Sequence, residues 1–344
     1  MQVYYLGQLI KVVKVIKYLG LNFAGDRCCS PSVEHLIITA ERTRHAVQTR
    51  ISNMGGLSPQ LKLRLGDLLI RPVASFGCQI WGVNFLDLSK GVNGNDLEKI
   101  HLSYLRHVLG VGMNIASDIL RAESSSPPYH AHWTKLIFRL WNSLQSNNNI
   151  MAHDIWKDDI TLFLKGCRTC WSYKVLKFAF VADITKFDPD RAYFSQHVLD
   201  AICTFSFDER LVMNCVNTLY ETRYSNFVGI CPKSAPSKGY SICKYINWTG
   251  IPGSICSKNK YKQHLPSYLS GAQFYNLTRF RMGAWKIKVN SIHLHHINRN
   301  QRYCSFCTEN HNNNVVEDEE HVLLHCPEYD ICHQDIPNCF WVLI

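Results

Sequence analysis

Cys304 and Cys307 are separated by two residues, His321 follows after thirteen more, and Cys326 after a further four. In this C-x2-C-x13-H-x4-C spacing, two near-adjacent thiolates grip one side of a tetrahedral Zn²⁺, and a His/Cys pair from a following helix or turn closes the other. Cys304, Cys307, His321 and Cys326 are the expected ligands of one structural Zn²⁺. His325, beside Cys326, is an alternative fourth ligand, and His311, Cys332 and His333 are weaker competitors.

The charge around this motif is segregated. Residues 222–308 hold thirteen Lys and Arg and no acid, whereas residues 309–344 hold eight acids and no Lys or Arg, within a net charge of +10. Such separation suggests an anionic partner for the basic part, with a solvated basic face as the plain alternative. Arg279, Arg281, Lys286 and Lys288 alternate with Phe280, Met282, Trp285, Ile287 and Val289. If this stretch is extended, the basic residues share a phosphate-facing ridge and the apolar ones pack beneath it, although an ordinary amphipathic strand has the same pattern.

At 344 residues and 46% hydrophobic content the chain has material for two or more ordinary cores. Lys11, Lys14 and Lys17 interrupt the N-terminal apolar residues, so no signal peptide is expected. The fifteen cysteines then point to mostly free thiols in a reducing compartment, nuclear or cytoplasmic. No apolar run approaches the ~20 residues of a membrane span.

Along the chain, Lys alternates with Val, Ile and Leu over residues 8–23, predicting a strand pair. Apolar spacing predicts a helix from Ser32 to Met54, ended by Gly55-Gly56, and a second opened by Ser58 and Pro59 that runs to Pro72. Further helices are expected over residues 73–81, 96–109, 131–144 and 170–181. Asn147-Asn-Asn149 marks a domain boundary. The middle of the chain is less legible, broken by Pro189, Pro232, Pro236, Pro252 and Pro266.

Five blocks, taken in order, resemble the C-terminal part of a non-LTR, LINE-type retrotransposon reverse transcriptase. The first is Lys17-Tyr-Leu-Gly-Leu21, similar to the strand that follows the family's palm active site. The second runs from Leu61-Lys-Leu-Arg-Leu65 through Ile70-Arg-Pro-Val73 and Ser75-Phe-Gly77 to Trp81-Gly82, and is similar to the thumb. The third is Leu97-Glu-Lys-Ile-His101 with Leu105-Arg106 and Leu109-Gly-Val111. The last two are Leu277-Thr-Arg-Phe-Arg-Met-Gly283 with Arg302-Tyr-Cys304, and Glu317-Asp-Glu-Glu-His321 with His325-Cys-Pro-Glu-Tyr329, similar to the approach and close of the zinc-binding module.

This resemblance implies a mainly α fold with small β elements: a helical thumb-like bundle and a small C-terminal zinc-binding module. The implied division is a palm-edge remnant at residues 1–25, the thumb at 26–146, a poorly defined connector at 147–270 and the basic segment with its CCHC module at 271–335. The implied function is binding of RNA or DNA. Arg42, Arg44 and Arg50 on one helix and Lys62, Arg64 and Arg71 on the next suit a thumb lying along a duplex, and Arg302 lies at the module's approach.

The palm aspartates that hold the family's catalytic Mg²⁺ are absent, so Mg²⁺ is implied only with a palm supplied elsewhere, and no catalysis is expected of this chain alone. Trp156-Lys157-Asp158-Asp159 imitates the aromatic-x-Asp-Asp motif, but it follows the thumb-like blocks and is expected to be an exposed acidic turn. Cys167-x2-Cys170 lacks a partner pair and is expected to be ordinary thiols. Rival readings are a zinc-dependent protein-interaction or structural module, a part of an active RNA-directed DNA polymerase acting in trans, and a decayed reading frame.

Overall fold

The computed structural model describes residues 3–5, 8–10, 13–25, 29–86, 95–146, 150–225, 240–249, 271–284, 287–290, 294 and 296–329. The expected strand pair is two antiparallel hairpins, β1 (Val3–Tyr5) with β2 (Gln8–Ile10), and β3 (Val15–Tyr18) with β4 (Leu21–Ala24). Tyr18 pairs with Leu21 across a two-residue turn in which Leu19 and Gly20 both have positive φ, the turn hand that matches strand twist. Among the described residues the remaining regular elements are helical, so the fold is mainly α with small β elements.

Helix α1 (Ser30–Met54) buries Val33, Leu36, Ala40, Val47 and Ile51 at the expected spacing. The Ser58 hydroxyl accepts from Leu61 N–H at 3.2 Å and opens α2 (Pro59–Leu65). Pro72 has no N–H to continue an α ladder. The chain widens ahead of it into a π turn (Gly66–Ile70), in which Arg71 N–H donates to Gly66 C=O, before α3 (Arg71–Ala74). Glycine is required at 66, because a Cβ there would lie 2.2 Å from a Tyr104 ring carbon. Tyr104 cannot swing aside easily, since its hydroxyl donates to Lys62 C=O.

After these come α4 (Cys78–Trp81), α5 (Asp96–Leu109), α6 (Ser117–Ser124), α7 (Tyr129–Gln145), α8 (Ile150–Leu164), α9 (Trp171–Val181), α10 (Gln196–Thr204), α11 (Glu209–Ser225), α12 (Tyr240–Thr249), α13 (Gly271–Arg281) and α14 (Ser305–His311). By contacts the chain forms two units: Met1–Tyr104 with Pro127–Leu219, and Leu105–Ser126 with Tyr220–Ile344.

The first unit has an aromatic core. Trp81 and Trp133 meet edge to face at 5.0 Å, and Trp141 touches both Trp156 (5.1 Å) and Trp171 (6.0 Å). Each indole N–H of Trp81, Trp133, Trp141 and Trp171 finds an acceptor: Phe76 C=O, Ser75 Oγ, Phe205 C=O and Gln79 C=O. Buried Glu98 accepts from Tyr129 N–H at the start of α7 and lies 3.1 Å from His101.

This core departs from the division drawn from sequence. Residues 150–219 pack with the helical bundle and are not a separate connector, because Trp156, Trp171 and Phe207 complete an aromatic cluster begun by Trp141 and Phe138. The expected boundary at residues 147–149 lies outside the described residues. In the second unit, α12 packs on α6 and α13.

Candidate metal centre

The second unit brings together Cys304, Cys307, His321 and Cys326, the four residues the spacing selects. A short antiparallel bridge, Tyr303 to Val316, folds the chain back, with Cys304 N–H donating to Val315 C=O and Glu317 N–H to Arg302 C=O. Cys304 caps α14 and Cys307 lies in its first turn, so both thiols sit on the same side of a helix start. Asp318 accepts from His321 N–H at 2.9 Å just ahead of a π turn (His321–His325), and Cys326 N–H donates back to His321 C=O.

All four side chains are buried, and their ligand atoms lie within 4.8 Å of one another. Cys326 Sγ is 3.8 Å from Cys304 Sγ and 3.9 Å from Cys307 Sγ, and Cys307 Sγ is 3.4 Å from His321 Nε2. The cluster can hold a metal ion. Burial pushes the Cys326 thiol up to about 12 and raises Cys307, while it lowers His321. A cation bound here would have to displace thiol protons. His321 Nδ1 has no hydrogen-bond partner among the described residues.

The competing ligands lie elsewhere. His325 is exposed, and His311 is exposed with its ring 5.6 Å from Phe306. Cys332 and His333 are outside the described residues.

The basic segment does not form the ridge that alternation suggests. Residues 271–281 are helical and a turn follows at Met282–Gly283, so Arg279, Arg281 and Lys288 do not share a strand face; Lys286 and Trp285 lie outside the described residues. Arg281 is nearly buried, 3.2 Å from Glu123, which also accepts from Tyr245 O–H at 2.7 Å. Arg279 is exposed and donates to Gly110 C=O. Lys288 donates to Tyr303 C=O at 2.7 Å and to Ser305 Oγ. Arg302, buried, donates to the carbonyls of Val289, Leu294 and Ile297.

These cations therefore hold the second unit's own backbone and acids, a consequence of burial that alternation does not reveal. The acidic run answers them: Glu319 pairs with buried Lys244 and accepts from Asn290, and Glu317 accepts from Lys288 N–H. Nothing in the sequence marks Lys244 and Glu319, 75 residues apart, as partners.

On the first unit, Arg64 is exposed, Lys62 is half-buried, and Arg71 pairs with Asp67 at 3.0 Å along the helix. Arg42 and Arg50 are exposed, whereas Arg44 is buried against Glu41 and Gln48. Trp156-Lys157-Asp158-Asp159 is not a turn. It lies within α8, where Trp156 is core and Asp159 accepts from Ser172 N–H at 2.7 Å, capping α9 from the neighbouring helix.

Among the described residues no helix is long and apolar enough to cross a membrane. No family model, curated protein or solved structure matches this chain.

Proposed function

We propose that this chain is a zinc-stabilised, nucleic-acid-binding segment related to the thumb and C-terminal module of a LINE-type reverse transcriptase. The observation that carries the metal part is the shape of the four-residue cluster. With Zn–S about 2.3 Å and Zn–N about 2.0–2.1 Å, a regular tetrahedron has S···S edges of about 3.8 Å and S···N edges of about 3.5 Å. Three of the six separations, 3.8, 3.9 and 3.4 Å, match those edges, and all six are within 4.8 Å. Three thiolates and one imidazole are a donor set that favours Zn²⁺ over hard cations.

The nucleic-acid part rests on the order of the resembling blocks and on basic surface. Exposed Arg42, Arg50, Arg64 and Arg279 are the described cations best suited to meet phosphates. The internal use of Arg281, Lys288 and Arg302 favours a second reading, a structural or protein-interaction zinc module.

Elemental analysis and an RNA or DNA titration over a salt series test both parts. One zinc per chain is expected, lost in Cys304→Ser and Cys326→Ser. Phosphate contacts give a log–log salt slope of about −0.9 per contact on duplex. Removing Arg42, Arg50 and Arg64 together lowers that slope. Zinc without any salt-dependent binding leaves the interaction-module reading.

A further inference from the structure

We propose that Cys167 and Cys170 form a thiol–disulfide exchange site, oxidised by a small organic disulfide whose organic half occupies the adjoining cavity of the first unit. The two thiols are fixed by helix ends on both sides. Gly166 N–H and Cys167 N–H close the end of α8 on Phe163 and Leu162, and Cys170 is the N-cap of α9. Between them Arg168 is pinned, donating to Pro189 C=O and lying over the rings of Phe163 and Tyr173. The intervening loop therefore holds the pair at close quarters: Cys170 S–H donates to Cys167 C=O at 3.1 Å.

Both line a cavity of about 750 Å³, walled by Leu140, Leu144, Ile155, Trp156 and Trp171 and reached also by Cys29. This is the size and apolar character of a small-molecule site. Trp156 is 3% exposed, and its Nε1–H meets no acceptor among the described residues. A second metal centre is disfavoured, since among the described residues no third ligand joins this pair in a metal-holding group.

The two sulfurs are unequal. Thr169 Oγ1, 3.4 Å from Cys167 Sγ, helps lower that thiol, while burial pushes Cys170 up to about 11. Cys167 is the attacking thiolate and Cys170 the resolving thiol. Cys167 S⁻ attacks one sulfur of R–S–S–R, the Cys167–S–S–R bond forms, and RS⁻ leaves and is protonated. Cys170 then gives up its proton and attacks the Cys167 sulfur, so the internal disulfide forms and a second RSH departs. The pair loses two electrons and two protons, and the disulfide is reduced to two thiols.

Glutathione disulfide is the probe, added to the zinc-loaded full chain and followed by peptide mass mapping. The wild type is expected to lose two hydrogens across Cys167 and Cys170, and Cys170→Ser or Cys170→Ala to retain glutathione on Cys167. Thr169→Val should slow the first step roughly three- to ten-fold, with Thr169→Ser matching the wild type. The proposal fails if Cys167 and Cys170 stay reduced while other thiols react, if Cys167 pairs with Cys29, or if wild-type Cys167 keeps a stable glutathione adduct.

Discussion

If Cys304, Cys307, His321 and Cys326 hold zinc as proposed, removing it should unfold the described residues between Ile287 and Tyr329 while leaving the tryptophan core of the first unit folded. The segment's own apolar cluster is Ile287, Val289 and Val322, with Val316 against it. Burying three such side chains contributes about 5–9 kcal/mol at ~1.5–3 kcal/mol each. A structural zinc site contributes about 10–16 kcal/mol, more than the whole apolar cluster.

Amide hydrogen exchange with and without a chelator reads this directly. Protection should vanish at Val289, Cys304, Glu317 and Cys326, whose N–H groups donate to Glu317, Val315, Arg302 and His321. It should persist at Ala182 and Ile184 in the first unit, which donate to Phe178 and Ala179. Cys326→Ser should reproduce the chelator. If metal-free protein, verified by elemental analysis, keeps full protection at those four amides, the segment is stable by itself and the energetic reasoning is wrong.

Three further outcomes are expected. Gly66→Ala should destabilise by about 1–3 kcal/mol, because the new methyl meets the held Tyr104 ring; thermal melting checks it, and a stabilised protein would show that the π turn relaxes freely. Arg281→Met should cost about 3–5 kcal/mol by leaving Glu123 buried and uncompensated; a neutral result by denaturant titration would return Arg281 to the surface role suggested by alternation. Burial, aided by Arg71 and Lys135, pushes His132 down to about 4, so between its ordinary 6.5 and about 4 the unfolded chain binds a proton the folded one refuses. Stability is therefore lost as pH falls through that window, by about 1–2 kcal/mol once partial exposure is allowed for, and His132→Gln should flatten that part of the pH–stability curve.

Sequence periodicity was a good guide where one helix face is cleanly apolar. Helix α5 begins and ends at the expected residues, and the hydroxyl of Ser58 caps α2 as its position before Pro59 suggests. It failed on α8, where Trp156, Ile160, Phe163 and Leu164 are buried but Ile150, Met151, Ile155 and Leu162 are exposed, so apolar residues cover more than one face and blur the period. The metal cluster was legible because ligand spacing is a local constraint. The fate of Arg281, Lys288 and Arg302 was not, because a cation's partner is set by tertiary neighbours such as Glu123 and by carbonyls freed at turns.

The pairing of Lys244 with Glu319, and of the Lys288 N–H with Glu317, also imposes an order in time. Synthesis runs from the N-terminus, so the thirteen cations of residues 222–308 emerge from the ribosome before any of the eight acids that follow them. Lys244 can therefore reach its buried pairing with Glu319 only after the acidic run has been made. A stall or frameshift between Thr308 and Glu317 would leave a product lacking Glu317 and Glu319, the partners of the Lys288 N–H and of Lys244, together with His321 and Cys326 of the candidate metal cluster, and such a product should be degraded faster than the finished chain.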